Sequence, residues 1–351
     1  KIKNIRKINR PSDWLEGILS KFGIDSLNYN NIVATSVGID KEERIKIAAV
    51  KSEYDASNKL TNIKVLFAHN IIVREDQTVS HTYSYLPVEF NLIERTLVVK
   101  VKNRQFFNDN YSSDDLMDRT INILKESLDF EFDAFVKRPE EVLYRMSKGL
   151  LDEFFNTIPN IDRLLSLTGT VDEFVNTIME SGLYNNIEVN NSNGKMLKSL
   201  DKNIVNLNEE IMLLLQQAAA FDYFKCKSIE SISNQISAIL VSIRFNDIDN
   251  ASASLTGEKR NRAIFNSKTF MSIRKSIDLV ASVVALSIAY NKNRGKMIVK
   301  YDTSDNGFLK VHILNNRNYD ESDFITIWEM YKKYESDSIE EATEVCEANI
   351  I

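Results

Sequence analysis

Four β-rich runs follow one another between residues 43 and 102, and they constrain the fold more than any other stretch of the chain. The runs cover residues 44–53, 62–74, 78–91 and 95–102, with polar turn residues between them. Parallel neighbours need a crossover of roughly a dozen residues, and these links are far shorter. The sequence therefore predicts an antiparallel β-meander with hairpin connections.

The last of these runs indicates which face of the meander is buried. Leu97, Val99 and Val101 fall on one side of an extended strand, and Lys100 and Lys102 fall on the other. Successive side chains in a strand point to opposite faces of the sheet. We therefore expect the three apolar residues to face the core and the two lysines to face solvent or a partner.

Beyond residue 102 the pattern changes to one typical of helices, with apolar residues recurring at three- and four-residue steps. The predicted helices cover 116–128, 139–155, 196–215, 229–245, 277–290 and 324–334. The stretch 277–290 is apolar on nearly all sides, which predicts a helix at the buried centre of this part of the chain. The stripe from Met196 to Leu215 suits internal packing better than pairing between subunits, because no flanking charges specify a partner.

A hairpin is predicted within the helical part at 297–314, where Asn306 and Gly307 form a strong turn signal. The predicted fold class is α+β, with an antiparallel β-meander in an N-terminal lobe, a larger mainly helical lobe, and a C-terminal β-hairpin plus helix. A length of 351 residues favours two domains, which we place at 1–110 and 111–351. The pattern leaves open whether the hairpin extends the first sheet.

Composition and motifs narrow the functional class. Ten glycines and four prolines are few for 351 residues, which disfavours doubly wound nucleotide-binding folds. The sequence has no GxxxxGKS/T or GxGxxG motif to cradle phosphates, and no GxSxG or HExxH motif of a hydrolase. These absences weaken the enzyme interpretation without excluding it, and we expect no cofactor.

The cysteines and the chain start bear on the compartment. Cys226 and Cys346 are far apart and in no CxxC spacing, which is typical of a reduced cytosolic protein. The basic start has no apolar run behind it, and the longest apolar stretch, 279–290, is shorter than the roughly twenty residues that span a bilayer. We expect a cytoplasmic protein with no membrane partner, and its many Ile, Asn and Lys residues suit an AT-rich bacterial, phage or plasmid genome.

His69, His81 and His312 are the only histidines. His69 and His81 lie on neighbouring predicted strands, where a hairpin can bring them close enough for a metal site or an acid–base pair. A metal site needs a third ligand at usable spacing, and the sequence shows none. Ordinary sheet positions are therefore the favoured interpretation, and we expect no metal.

A local basic segment between residues 258 and 275 is the strongest candidate for a binding site. Its basic residues are Lys259, Arg260, Arg262, Lys268, Arg274 and Lys275, and the basic start at Lys3, Arg6, Lys7 and Arg10 is a second candidate contact. The net charge of −6 argues against broad coating of nucleic acid, but a local basic stripe can form a directed site. Phe265 and Phe270 lie within the segment. They are expected either to pack in the core or to stack on unpaired bases.

These observations favour a non-enzymatic protein that binds a macromolecule, with nucleic acid as the expected partner of the basic segment. The competing interpretation of the segment is a solvated helix face. Two alternatives for the whole protein stay open: an enzyme of unrecognised type, such as a nuclease-like effector, and a self-associating structural or adaptor protein that pairs through the helix predicted from Met196 to Leu215.

Overall fold

A computed structural model gives the structure of the chain. The described residues are 2–3, 31–33, 45–75, 78–101, 112–128, 131–132, 138–159, 161–181, 187–190, 194–198, 204–226, 236–246, 252–257, 263–265, 267–292, 295–304, 309–314 and 319–348. The chain divides into two compact units, Lys1–Phe135 and Val136–Ile351.

The first unit is built on a five-stranded antiparallel sheet in the order β2-β3-β4-β5-β6. Its strands are β2 (Asn31–Val33), β3 (Ile45–Tyr54), β4 (Leu60–Glu75), β5 (Thr78–Asn91) and β6 (Thr96–Val99). Each strand pairs with the next one along the chain, so the predicted meander is confirmed. Two short strands of the same unit, β1 (Ile2–Lys3) and β7 (Glu131–Phe132), pair with each other.

Local chemistry explains the turn between β3 and β4. The carboxylate of Asp55 accepts hydrogen bonds from the backbone N–H groups of Ser57 at 2.8 Å and Lys59 at 2.9 Å. Asn58 adopts a left-handed conformation with φ of 59°, which asparagine tolerates better than most residues. The polar cluster therefore reverses the chain tightly and sets the two long strands side by side.

Helix α1 (Ser113–Leu128) covers one face of the meander. Its Leu116 and Leu124 are buried in the same apolar cluster as Phe67 of β4, and Leu97, Val99 and Val101 pack against that cluster. The expected direction of these three residues is thus confirmed. The helix start is capped by Ser112, whose hydroxyl oxygen accepts a hydrogen bond from the N–H of Asp115 at 3.1 Å.

The second unit combines helices with two antiparallel sheets. Its helices are α2 (Pro139–Asn156), α3 (Ile161–Leu165), α4 (Thr168–Glu180), α5 (Leu207–Cys226), α6 (Lys268–Val280) and α7 (Glu321–Ala348). A small sheet in the order β10-β9-β8 contains β8 (Ile187–Asn190), β9 (Gly194–Lys198) and β10 (Ile204–Asn206). It precedes α5 in the chain.

The larger sheet of this unit, the second sheet, has the order β12-β11-β13-β14-β15, and all its pairings are antiparallel. Its strands are β11 (Ala238–Asn246), β12 (Ser252–Thr256), β13 (Ala285–Tyr290), β14 (Met297–Asp302) and β15 (Lys310–Ile313). One face is buried in the main core with residues of α2, α6 and α7. The opposite face is called the outer face.

The fold class is confirmed as α+β, and the predicted C-terminal hairpin corresponds to β14 and β15 followed by α7. This hairpin belongs to the second sheet, which answers the question that the sequence pattern left open. Helix α1 is part of the first compact unit, since the division between the units falls at residue 135. Within the described residues, no helix has the length and apolar content needed to cross a membrane.

Three of the predicted helices are wrong in part. The stretch 277–290 leaves helical structure at Ala281, which caps α6 in a left-handed conformation, and continues as β13, whose six residues are all buried. Within 229–245, the described end forms β11. The run from Met196 begins in β9, its residues 204–206 form β10, and α5 begins at Leu207. Strands buried on both faces lose the two-residue alternation, so they resemble buried helices in sequence.

Candidate nucleic-acid interface

Lys259, Arg260 and Arg262 of the predicted basic site lie outside the described residues. Lys268 and Lys275 belong to α6, and their side chains are likewise outside what the structure describes. Arg274 is therefore the one member of the predicted set whose side chain the structure describes. The structure does define the residues that flank the segment and the helix that carries its second half.

Both ends of the segment 258–262 are fixed to the same strand of the second sheet. The N–H of Gly257 donates a hydrogen bond to the carbonyl oxygen of Val241 at 3.0 Å, and the N–H of Ile264 donates one to Leu240 at 3.0 Å. These two acceptors are consecutive residues of β11, at its β-bulge. Gly257 and Ile264, which flank the basic residues in the sequence, are therefore both attached to this part of β11.

Arg274 is held by contacts within the second unit. Its guanidinium donates a hydrogen bond to Gln216 of α5 at 3.1 Å, lies 3.8 Å from the carboxylate of Asp278, and stacks 5.7 Å from the ring centre of Phe155. Tyr144 donates a hydrogen bond to the same Asp278 at 3.0 Å, and burial together with the nearby carboxylate raises the pKa of this tyrosine to about 12. Arg274 thus joins α2, α5 and α6.

The aromatic residues of the segment are core residues. Phe265 is 1% exposed and stacks on Phe154 of α2 with ring centres 5.0 Å apart. Phe270 is also buried, 5.7 Å from Phe265. A depression between α2 and α6, bordered by Ser147 and Lys148, has a volume of about 10 Å³. That is room for about one water molecule, so this depression is far too small for a base.

The outer face of the second sheet carries a different set of polar residues. The strand register places them in two rows, Thr256-Ser242-Ser287-Lys300-His312 and Ser254-Arg244-Ala285-Asp302-Lys310. Their neighbours in sequence, such as Leu255, Leu286 and Tyr301, pack in the core on the other side of the sheet. The outer face therefore combines hydroxyl groups with cationic side chains, and Ser254, Thr256 and Ser304 at its margin are exposed.

Asp302 is the centre of the charges on this face. Its carboxylate accepts hydrogen bonds from Lys300 at 2.5 Å, from Arg244 at 3.2 Å and from the backbone N–H of Ser304 at 3.0 Å. The hydroxyl of Ser304 also donates to this carboxylate and accepts from Arg244. Burial by itself would raise the pKa of Asp302, but the bonds from Lys300 and Ser304 outweigh it and lower the pKa to about 2. Asp302 is thus a permanent anion near neutral pH.

The histidines do not form a pair. His69 lies opposite Ser84, whereas His81 lies opposite Ile72, so the two histidines are offset by three residues and point to opposite faces of the sheet. His69 is buried, with Nε2 at 2.8 Å from the hydroxyl oxygen of Thr120. His81 is exposed. Among the described residues, no cluster of His, Cys, Asp and Glu has the makings of a metal site.

Sequence reasoning missed the outer face. Its residues are spread over five strands between Ser242 and His312, and two of these strands fall in stretches whose sequence predicts helices. A signal is present in β12, where Ser252, Ser254 and Thr256 alternate with Ala253 and Leu255, as expected for a strand with one polar face. The polar residues of the outer face can be recognised as one group only when the pairing of β12 with β11 and of β11 with β13 is known.

Comparison with known proteins adds no relative from which a role can be inferred. No family model matches the sequence, no curated protein matches it, and no solved structure matches the fold. A role for this chain therefore has to be inferred from its own residues.

Proposed function

We propose that this chain is a macromolecule-binding protein that contacts nucleic acid through the basic segment between β12 and α6. The observation that carries the proposal is the attachment of Gly257 and Ile264 to consecutive residues of β11. Lys259, Arg260 and Arg262 lie between these two anchors. In general, cations on a short loop with fixed ends lose less conformational freedom on binding than cations on a free tail.

The geometry of α6 is consistent with a contact surface that continues from the basic segment onto this helix. Phe270, Arg274 and Ile277 face the core or its margin, and they define the inner side of this helix. Positions 268 and 275 are seven residues apart, so they share one side of the helix, and the helical period places that side away from Phe270. The proposal therefore includes Lys268 and Lys275 as contacts, while Arg274 holds the helix in place.

The local positive charge of the basic segment favours a ligand that carries phosphate groups. The whole chain carries a net charge of −6, yet residues 259–275 contain five basic side chains besides Arg274, which is held by Gln216 and Asp278. Phosphate backbones attract such a local concentration of cations, and binding releases condensed counterions. Because Phe265 and Phe270 are buried, the contacts fall on phosphates rather than on stacked bases.

The test is titration of fluorescently labelled single-stranded and duplex DNA and RNA at several salt concentrations. We expect binding at low salt, with an affinity that falls steeply as salt is added. The triple variant K259A/R260A/R262A should weaken binding and reduce the salt slope by about 0.7 to 0.9 for each phosphate that the variant no longer neutralises. The matched control is K51A/K59A/R163A, which removes the same charge from exposed positions elsewhere.

Two results would overturn the proposal. Absence of binding to all four probes at micromolar protein would leave a protein partner as the better interpretation. Cleavage of any probe in the presence of added Mg²⁺ or Mn²⁺, but not in their absence, would indicate a nuclease instead of a non-enzymatic binding protein.

A further inference from the structure

Helix α5 carries more apolar side chains than its packing in the second unit uses. Residues 211–215 are five consecutive apolar residues, which is more than one turn of a helix, so apolar side chains point to all sides of α5. None of the five is buried, and Leu214 is 62% exposed. A helix that is apolar all round is normally enclosed, so the exposure of Leu214 indicates a partner on that side.

The inner side of α5 is identified by its contacts. Gln216 accepts the hydrogen bond from Arg274 of α6 at 3.1 Å, and Ala220 and Tyr223 are buried in the main core. These three positions follow at steps of four and three residues, so they share one side of the helix. Leu214 is two residues from Gln216, a rotation of about 200°, and therefore lies on the opposite side.

The outward side of α5 has the spacing of a coiled coil. Its apolar members, which we call the α5 seam, follow at steps of four, three, four and three residues: Leu207, Ile211, Leu214, Ala218 and Phe221. None of them is buried. Such steps let two helices pair along their length, and Ile211 with Leu214 is the β-branched and leucine combination that favours two parallel strands. The seam therefore fits a second helix with the same spacing.

The charges of α5 favour a protein as the occupant of the seam. Residues 207–224 include Glu209, Glu210 and Asp222 and no Lys or Arg. Phosphate backbones and anionic lipid surfaces both attract basic residues. The seam thus differs in chemistry from the basic segment and suits an apolar protein surface.

We propose that the α5 seam is the contact through which two copies of this chain associate, with the two α5 helices parallel about a twofold axis. A twofold interface uses the same patch on both copies, so each chain carries both halves of it. The flanking positions agree, because a parallel pair brings Glu210 next to Leu215 and Gln217 next to Asp222 of the second copy. No like charges meet, and the amide of Gln217 can donate to the carboxylate of Asp222.

The size of the seam sets the strength of the dimer. From Leu207 to Phe221 the helix extends about 21 Å, and its width of about 10 Å gives a strip of roughly 200 Å² on each copy. A stable interface buries about 800 Å² of each partner. Helix α4 contacts α5 and leaves Phe174 56% exposed, which adds to the apolar surface of this helix pair. We therefore expect a weak dimer that dissociates on dilution.

Sedimentation velocity across the micromolar range tests the proposal with the variant L214E. The matched control is L279E, because Leu279 lies in α6 and is 64% exposed. We expect the wild type and L279E to shift alike from monomer to dimer as concentration rises. L214E should raise the dissociation constant of the dimer at least about tenfold, since each dimer loses two buried leucines and gains two adjacent carboxylates. Thermal melting followed by circular dichroism checks that both variants are folded.

A mixing experiment tests whether the partner is a second copy. L214E and L214K should each be largely monomeric, and an equimolar mixture should contain more dimer than either variant alone. A mixture with no more dimer would overturn the pairing of Leu214 with Leu214. A wild type that stays monomeric at every concentration, or equal effects of L214E and L279E, would overturn the seam as a dimer contact.

This inference is independent of the proposed function. K259A/R260A/R262A should dimerise like the wild type, and L214E should keep the wild-type salt slope for nucleic acid measured per chain. A chain that binds no nucleic acid but dimerises through Leu214 would disprove the proposed function alone, and a monomeric chain that binds nucleic acid would disprove the dimer alone.

Discussion

Gly149 of α2 lies directly against the ring of Tyr334 of α7, and the ring occupies the position where a β-carbon at residue 149 would stand. Tyr334 is 6% exposed, so its ring has little room to move away. The backbone carbonyl of Tyr334 also accepts a hydrogen bond from Arg145 of α2 at 3.3 Å. The close approach of these two helices therefore depends on the absence of a side chain at Gly149.

We expect G149A to destabilise the second unit, although alanine is the better helix former by about 1 kcal/mol. Overpacking against a buried ring costs about 1–3 kcal/mol, so the clash outweighs the gain in helix propensity. Chemical denaturation of G149A and the wild type measures the difference.

The matched control is G169A, in α4. A β-carbon at Gly169 meets no atom within 4 Å, so the change should be neutral or slightly stabilising. If G149A were as stable as G169A, the close packing of α2 against α7 would be incorrect.

Acid should destabilise the first unit through His69. Thr120 donates its hydroxyl proton to the carbonyl oxygen of Leu116 at 2.8 Å, so its oxygen accepts from Nε2–H of a neutral His69. Burial, together with the charge of Arg119, lowers the pKa of His69 from 6.5 to about 4. The unfolded chain binds this proton near pH 6.5 and the folded chain only near pH 4, so stability is lost as pH falls between these values.

The loss approaches about 3 kcal/mol at the acid end of this range, because each pKa unit corresponds to about 1.4 kcal/mol. Urea denaturation at pH 7 and pH 4.5 checks the prediction. H69Q should be less stable than the wild type at pH 7 and should show less dependence on pH. H81Q, at an exposed position, should keep the wild-type dependence, and the same profile for H69Q and the wild type would contradict the assignment.

The meander was predictable because its register is local. Glu75 pairs with Thr78, so a two-residue link fixes the pairing of both strands, and β5 runs from Thr78 to Asn91 as the sequence predicts. The observed register also separates His69 from His81. Local turn chemistry thus carried most of the information about the first unit.

The second sheet was hard to predict because its pairings join distant segments. Strand β11 pairs with β13 across roughly forty residues, and Ala285–Tyr290 is buried throughout, so neither a turn nor an alternating pattern marks it. Arg244 and Asp302 meet only through this pairing. The charged cluster on the outer face therefore follows from the three-dimensional fold and from no motif in the sequence.

Two buried tyrosines connect the second sheet to α7 and give a further prediction. The hydroxyl groups of Tyr290 and Tyr301 are 2.6 Å apart, and Tyr301 donates to the carbonyl oxygen of Ile327 at 2.9 Å. Y301F leaves two buried polar groups without this partner, which should cost about 1–3 kcal/mol for each group left unsatisfied. Y290F removes only the first bond and should cost less. In this arrangement Tyr290 donates to Tyr301, and Tyr301 donates to Ile327. Equal losses of stability for Y290F and Y301F in denaturation experiments would contradict it.

Arg274 provides a prediction that separates stability from binding. Its guanidinium contacts Gln216, Asp278 and Phe155, and its side chain is 16% exposed. R274M keeps much of the alkyl packing and removes the charge, and it should lower the free energy of unfolding by about 1–2 kcal/mol. Arg163 is exposed, so R163M is the control for loss of a surface charge. Folded R274M should bind nucleic acid with the wild-type salt slope, whereas a wild-type melting curve with a lower slope would instead place Arg274 on the binding surface.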